Sequence, residues 1–246
     1  MKYLKIMLCV IISAAVSAPS FAGFYADLEG GRAFTGYNDV AIPGDEGTRI
    51  SLSEDLETDP VWYLRGRAGY RFGERHDVSI TSAPLRADSE GTVNSAVRFD
   101  DTVFPAGTPL SARYQFDTYR FTYRYNLVVE RDLIIGIGGT GLIRDASVTV
   151  ESGTERAEYT NVGFVPLFHF HLEYYFTAPF GIQLEGDAMA APQGRAEDVM
   201  AALVYRAGES WKFRAGYRML EGGADNDKVY TFAMFHFVFV GVSVML

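Results

Sequence analysis

Charged and imidazole side chains recur at every second position in two parts of the sequence. His169, His171 and Glu173 form one series, and Arg65 and Arg67 keep the same spacing in another stretch. Alternate positions of a β-strand point to the same face, so each series would gather its side chains on one surface. Two imidazoles and a carboxylate on one surface could hold a metal ion or exchange protons. A row of guanidinium groups could bind an anion.

A structural role competes with each of these chemical roles. His169 is followed by Phe170 and His171 by Leu172, so neither histidine has a nucleophile beside it, and no His-x-Ser-Asn motif is present. The favoured interpretation therefore places both histidines in an internal hydrogen-bond network. The arginines would pair with acids, because an isolated ion in a low-dielectric interior is costly.

The elements that must position these residues are strands. The stretch 61–72 alternates most clearly, with Trp62 and Leu64 on one face and Arg65 and Arg67 on the other. The same period predicts ten strands. They cover residues 23–35, 61–72, 77–85, 111–129, 132–150, 159–176, 180–191, 197–207, 211–220 and 230–246.

Within the fourth predicted strand, Tyr114 and Phe116 are out of phase with Tyr119 and Phe121. A β-bulge near Asp117 or Thr118 would bring all four aromatic side chains to the same face.

The last predicted strand points to a transmembrane β-barrel. Its apolar run is short for a membrane helix and carries His236 in the middle, whereas its phenylalanines and valines suit a pleated strand. A terminal strand of this kind pairs with the first strand to close an outer-membrane barrel. We therefore predict an all-β, antiparallel transmembrane barrel of ten strands, with eight as the alternative.

The predicted connections alternate in length. Those after even-numbered strands are short, at residues 73–76, 130–131, 177–179 and 208–210. Those after strands one and three are long, near 36–60 and 86–110, and those at 151–158, 192–196 and 221–228 are of medium length and polar. This alternation is typical of outer-membrane barrels with both termini in the periplasm.

The amino terminus predicts export. Lys2 and Lys5 precede an apolar segment at 6–16 and a small-x-small site that ends at Ala22, so residues 1–22 read as a cleaved signal peptide and 23–246 as one barrel domain. Cys9, the only cysteine, would leave with the signal. Loss of Lys2 and Lys5 would change the formal charge from −9 to −11, which argues against nucleic acid as a partner. The expected partners are outer-membrane lipid, lipopolysaccharide and the barrel assembly machinery.

The outward and inward faces define two sets of residues. The predicted lipid-facing set is Trp62, Leu64, Phe121, Tyr123, Phe168, Phe170, Leu184 and Phe213. The predicted charge network of the lumen is Asp27, Glu29, Arg65, Arg67, Arg71, Arg120, Arg124, His169, His171, Glu173, Glu185, Asp187, Arg214 and Arg218. Because strands one and two are neighbours, Asp27 and Glu29 should pair with Arg67 and Arg71.

The stretch from Gly216 to Ala233 carries a resemblance. Gly216-Tyr217-Arg218 is followed by Leu-Glu-Gly-Gly-Ala-Asp-Asn-Asp at 220–227 and by Val-Tyr-Thr-Phe-Ala at 229–233. These residues resemble the end of a family of small Gram-negative outer-membrane β-barrel proteins, loosely similar in size to OmpW-like barrels. The resemblance implies the fold and the location. The chain departs from such barrels at its end, where Leu246 stands in place of an aromatic residue that the assembly machinery reads.

The Gly-Gly pair at 222–223 suits a sharp turn out of strand nine, since glycine tolerates positive φ. Glu221, Asp225 and Asp227 could instead form a calcium or lipopolysaccharide-bridging site. Their spacing does not match the known calcium loop, so the turn is favoured.

The predicted function is a non-enzymatic outer-membrane barrel, either structural or a narrow pore for small solutes, with a charged and largely plugged lumen. No catalytic residue, metal or cofactor is assigned. An open lumen lined by arginines would select small anions, but small barrels are mostly filled by side chains. The alternative is a barrel enzyme that acts on lipid or peptide at the extracellular rim.

Overall fold

The computed structural model describes residues 23–192 and 194–246. The predicted signal peptide lies outside the described residues and stays a prediction. In those two ranges the chain forms fifteen strands and no helix long and apolar enough to span a membrane. The strands are β1 Gly23–Ala41, β2 Ile50–Ser51, β3 Glu57–Thr58, β4 Val61–Phe72, β5 His76–Ala83, β6 Arg86–Thr92, β7 Val97–Phe99, β8 Thr102–Phe104, β9 Pro109–Val129, β10 Leu133–Glu151, β11 Arg156–Tyr175, β12 Phe180–Ala191, β13 Gly194–Ala207, β14 Trp211–Asn226 and β15 Val229–Met245.

Ten of these strands close into an antiparallel barrel. Their order is β1, β4, β5, β9, β10, β11, β12, β13, β14 and β15, and β15 pairs with β1 from Tyr25↔Met245 to Ala41↔Tyr230. β6 continues β5 along β9 beyond Pro84, where the ladder is interrupted. The predicted fold class is therefore confirmed, with ten strands and not eight.

The alternation of residue types explains which face each side chain takes. On β4, Trp62 is 77% exposed on the outer face, whereas Arg65, three residues further along the strand, is 6% exposed inside. β9 repeats the pattern with Phe121 outside and Arg120 inside. The predicted lipid-facing residues are exposed except Phe170, which is half-buried.

The two ends of the barrel differ. At one end, called the turn end, Gly23 and Leu246 lie beside the four short connections, as the pattern of lengths predicts. At the other end, called the loop end, three of the predicted medium loops are wrong. β10 and β11 continue to a turn at 152–155, β12 and β13 pair as far as Ala191↔Gly194, and β14 and β15 continue to a turn at 227–228. Polar residues occur in these strand extensions, for instance Arg156 and Glu158, which lie exposed on the outer face.

The β-bulge predicted near Asp117 is also wrong. β9 pairs with β10 without interruption from Tyr119 to Ser111, so Tyr114 and Phe116 share the inward phase of Arg120. The register shifts lie elsewhere, between Thr35 and Tyr37 and opposite Ile135 and Gly136. The aromatic residues of β9 face outward at Tyr119 and Phe121 but inward at Tyr114 and Phe116, because the interior of the barrel becomes apolar toward the loop end.

An apolar core fills this loop end, where the sequence predicted a polar lumen. The two long loops, 42–60 and 84–108, are bonded to each other, with the Asp100 N–H donating to the Ile42 carbonyl at 2.7 Å. We call their buried apolar side chains the apolar cap. The cap comprises Ile42, Ile50, Leu52, Leu56, Leu85, Ala87, Val97, Phe99 and Phe104. These residues pack on inward-facing side chains of the wall, among them Val40, Tyr114, Val150, Phe235 and Phe237.

Candidate functional site

A layer of ion pairs crosses the lumen below the apolar cap. Arg120 bridges two acids, with Nη1 2.8 Å from Asp187 Oδ2 and Nη2 2.6 Å from Asp198 Oδ2. Asp198 also accepts from Arg65 at 3.0 Å and from Arg218 at 2.5 Å. One carboxylate on β13 is thus held by arginines from β4, β9 and β14, on different sides of the barrel.

Glu29 completes this layer from β1. Its carboxylate accepts two hydrogen bonds from Arg218, both at 2.8 Å, and one from the Tyr63 hydroxyl at 2.9 Å. The residues that form the layer are each at most 6% exposed. We call them the charged layer. It consists of Glu29, Arg65, Arg120, Asp187, Asp198 and Arg218.

The partners predicted for the acids of β1 are wrong. Asp27 lies opposite Arg67 in the ladder, at the expected depth, but its carboxylate binds Arg214 of β14 at 2.5 Å. Glu29 likewise binds Arg218 and not Arg67. The β14 arginines reach over β15, where Gly241 stands between β14 and β1 without a side chain to block the guanidinium of Arg214.

Below the charged layer, a cavity of about 440 Å³ lies toward the turn end. His171 and Glu185 meet in its lining, with Nδ1 2.9 Å from Oε2, and Arg67 binds the same glutamate. Glu173 binds Lys212 at 2.7 Å. We call this cavity the turn-end vestibule.

Two of the three remaining members of the predicted network share an acid that the prediction missed. Arg71 and Arg124 both bind Asp77 of β5, at 3.3 and 3.1 Å. His169 lies higher, with Nδ1 2.9 Å from Asp187 Oδ1. Every predicted network residue therefore makes an ion pair or an acid–histidine contact inside the barrel, but with partners that strand order alone did not identify.

Asp198 is the main residue that sequence reasoning missed. The inward positions that follow it on β13 are Met200, Ala202 and Val204, which are buried and apolar. An apolar series of this kind resembles a lipid-facing stretch, so the acid at its end was not assigned to the lumen. Arg206 indicates the inward position of Asp198, because the two residues have the same phase on β13 and an arginine suits the polar lumen.

The motif around the glycine pair is not a turn. Gly222 and Gly223 lie inside β14, paired with Ala233 and Phe232 on β15, so the predicted turn is wrong. Glu221 faces outward, where Arg195 binds it at 2.7 Å and the Tyr37 hydroxyl donates to it. Glycine suits these positions because the backbone and ring atoms of the neighbouring strands would clash with a Cβ at Gly223. Within the ranges that the structure covers, no group of three or more potential metal ligands is found.

His236 lies on the outer face of β15. Its Nδ1 is 2.5 Å from the Tyr217 hydroxyl. Gly36, at the register shift of β1, leaves room for this imidazole, because a Cβ there would lie 2.6 Å from its Nε2.

A second cavity of about 440 Å³ lies above the charged layer. Tyr114, Leu142, Leu167 and Phe235 contribute apolar side chains to its lining, and Arg144 contributes a cation. We call it the upper cavity. The charged layer lies between the upper cavity and the turn-end vestibule. Its Arg120 and Asp198 line the upper cavity, whereas Arg67 and Glu185, which lie below the layer, line the vestibule.

The described fold is that of an outer-membrane β-barrel. OmpT, the outer membrane protease of Escherichia coli, is similar in structure, with a TM-score of 0.61 and 9% identity over 95% of this chain and 100% of that chain. The transport unit of the autotransporter AIDA-I from Escherichia coli gives a TM-score of 0.45 at 8% identity, over 99% and 97% of the two chains. Ail of Yersinia pestis gives 0.41 at 8% identity, over 91% and 99%. No protein-family model and no curated protein matches the chain.

Proposed function

We propose that this protein is a non-enzymatic barrel of the bacterial outer membrane whose lumen does not conduct solutes along the barrel axis. The observation that carries the proposal is the charged layer. Its side chains come from β1, β4, β9, β12, β13 and β14, so the layer joins opposite sides of the wall. Of the two functions that the sequence left open, a structural barrel and a narrow pore, this arrangement favours the first.

The energetics of the layer support a permanently closed lumen. Removing one partner of a buried ion pair leaves an uncompensated charge, which costs about 3–5 kcal/mol. Asp198 binds three arginines at once. A solute that displaced its carboxylate would therefore leave several guanidinium groups without that partner. The apolar cap adds a second barrier at the loop end, where Phe99 and Phe104 are fully buried.

The acid–histidine contacts give less support to a barrel enzyme. A hydrolytic site would need an imidazole beside a nucleophile and open to substrate. His169 and His171 are 3% and 5% exposed, and the acids that they contact are shared with Arg120 and Arg67. The two histidines thus belong to the ion-pair network in the lumen and do not lie at the loop-end rim.

The outer surface supports the proposed location and lipid partners. Large apolar side chains are exposed around the wall, among them Leu64, Phe121, Phe168 and Val240. Such a belt suits bilayer lipid, with lipopolysaccharide at the loop end and both termini at the periplasmic turn end. The exposed, polar continuation of β11 above Thr160 would then project beyond the membrane.

Conductance in planar lipid bilayers tests the closed lumen. We expect no stable ion-conducting steps from the wild-type barrel. We expect the triple variant Arg120→Ala/Asp198→Ala/Phe99→Ala to conduct, because it removes the two central side chains of the charged layer and also opens the apolar cap. The control Arg113→Ala/Asp88→Ala removes a pair of the same type from the exposed outer wall and should stay silent.

A stable, ion-selective conductance of the wild-type barrel would overturn the proposal and favour the narrow pore. Hydrolysis of peptide or lipid by the wild-type barrel, lost in His169→Asn, would overturn its non-enzymatic part. Folding of each variant is checked by its heat-dependent gel migration before the measurement.

A further inference from the structure

The barrel wall is split between β11 and β12. The two strands pair only from Phe168↔Ala188 to Tyr175↔Gly181. Over residues 156–167, β11 pairs with β10 alone, and its other edge makes no backbone hydrogen bond to a described residue. β12 ends at Ala191, which pairs with Gly194 of β13, so the β12–β13 hairpin leaves this edge uncovered.

Pro166 is a sequence-level cause of the split. It lies inside β11, directly opposite Gly141 of β10. Proline has no N–H to donate to a ladder and is tolerated where that side of the strand is unpaired. The residue therefore keeps its place beside β10 while it prevents continuous pairing with β12.

The split opens the upper cavity toward the lipid-facing surface. Residues on both sides of the split, Phe164 to Leu167 on β11 and Met189 and Ala191 on β12, line the cavity. The outward side chains next to it are apolar and exposed, with Val162 at 70% and Phe164 at 68%. Backbone edges at membrane depth occur where they line a cavity, because lipid offers them no hydrogen bonds.

Arg144 supplies a cation that has no carboxylate partner among residues 23–192 and 194–246. Its Nη2 donates to Asn161 Oδ1 at 2.9 Å, and its buried Nε has no hydrogen-bond partner in the described parts of the chain. Gly163 faces it across the ladder, and a Cβ there would lie 2.9 Å from this Nε. The glycine thus leaves the space that the guanidinium occupies.

The other charged groups of the lining are already neutralised or turned away. Arg120 and Arg195 bind Asp198 and Glu221. Glu197 takes the outward phase of β13, next to the inward Asp198. The charge available inside the upper cavity is therefore positive, which favours an anion over a cation.

We propose that the upper cavity binds a single-chain amphiphile with one carboxylate head group, which enters from the membrane through the split between β11 and β12. The carboxylate pairs with Arg144, and the chain lies against Tyr114, Leu142, Leu167 and Phe235. A cavity of about 440 Å³ lies in the range of small-molecule sites. The proposal adds a binding function to the barrel and does not depend on whether its lumen conducts.

Titration calorimetry of the barrel in lipid nanodiscs tests the site, with protein-free nanodiscs as the blank. Dodecanoate should bind, whereas dodecanol and dodecyltrimethylammonium, which have the same chain, should bind at least about tenfold more weakly. Arg144→Gln should weaken dodecanoate binding by at least about tenfold, the factor expected for one charge-assisted hydrogen bond. Arg113→Gln, an exposed arginine on the outer wall, is the matched control and should bind as the wild type does.

A cysteine pair tests the route of entry. Val165 and Ala191 share an inward phase and would be opposite each other if the β11–β12 ladder continued. A disulfide in Val165→Cys/Ala191→Cys should close the split and abolish dodecanoate binding until reductant is added.

Three calorimetric results would each overturn the proposal: equal binding of dodecanoate by Arg144→Gln and wild type, equal binding of dodecanol and dodecanoate, or no binding of dodecanoate at all. Full binding by the oxidised cysteine variant would overturn entry through the split.

Discussion

The charged layer and the apolar cap fill the same barrel by opposite chemistry. In the charged layer, six ionic side chains neutralise each other across the lumen, each fixed by geometry to particular partners. In the apolar cap, loop side chains such as Phe99 and Phe104 are buried by packing that has no directional requirement. The stability of a buried ionic layer therefore depends on every one of its ion-pair partners, whereas the stability of an apolar layer depends on the total side-chain volume that fills it.

The largest effect that separates the two regions should come from Asp198. Asp198→Ala leaves Arg65, Arg120 and Arg218 short of a carboxylate, and we expect a loss of about 3–5 kcal/mol in the free energy of unfolding. Denaturant unfolding in lipid vesicles measures it. The unfolding should stay a single transition, because the layer joins strands from opposite sides of the barrel. A loss below about 1 kcal/mol would mean that the layer is not the main polar support of the wall.

Phe99→Ala should damage the cap without damaging the wall. Truncation of a buried phenylalanine costs about 3 kcal/mol or more, but here the cost falls on the two long loops. Limited proteolysis should therefore cleave loops 42–60 and 84–108 faster, while the heat-dependent gel migration of the barrel is unchanged. Loss of that migration would show that the cap and the wall fold as one cooperative unit.

A smaller effect tests which partners the charged layer uses. Glu29 and Arg218 should show a coupling free energy of about 1–3 kcal/mol in a double-mutant cycle to alanine, since they are in direct contact. The cycle for Glu29 and Arg67 should be close to additive, because Arg67 binds Glu185. The reverse order of the two couplings would contradict the observed pairing.

The smallest effect should come from the outer wall. Arg113 and Asp88 form an ion pair at 2.6 Å, but both side chains are about 60% exposed. Arg113→Ala should therefore change the free energy of unfolding by at most about 1 kcal/mol, and raised salt should remove even that difference. A cost as large as that of Asp198→Ala would undermine the distinction between buried and exposed pairs.

The polar and apolar faces of the wall could be read from the amino-acid sequence. A period of two is a local property, so Trp62 and Arg65 could be assigned to opposite faces without any knowledge of their neighbours. The number of strands, the closure of β15 on β1 and the short turns followed from the same pattern together with the positions of glycine, proline and polar residues.

The ion-pair partners, the apolar cap and the split between β11 and β12 depend on contacts between distant parts of the folded chain. A long arginine side chain can reach over an intervening strand, as Arg214 does at Gly241, so adjacency in sequence order does not identify its acid. The buried loops carried no periodicity, and their apolar residues became a core only when the wall enclosed them. The split needed both Pro166 on β11 and the early turn of the β12–β13 hairpin, and these lie on different strands. Their joint effect depends on register, which is set by all the pairings around the closed barrel and not by any one stretch of the chain.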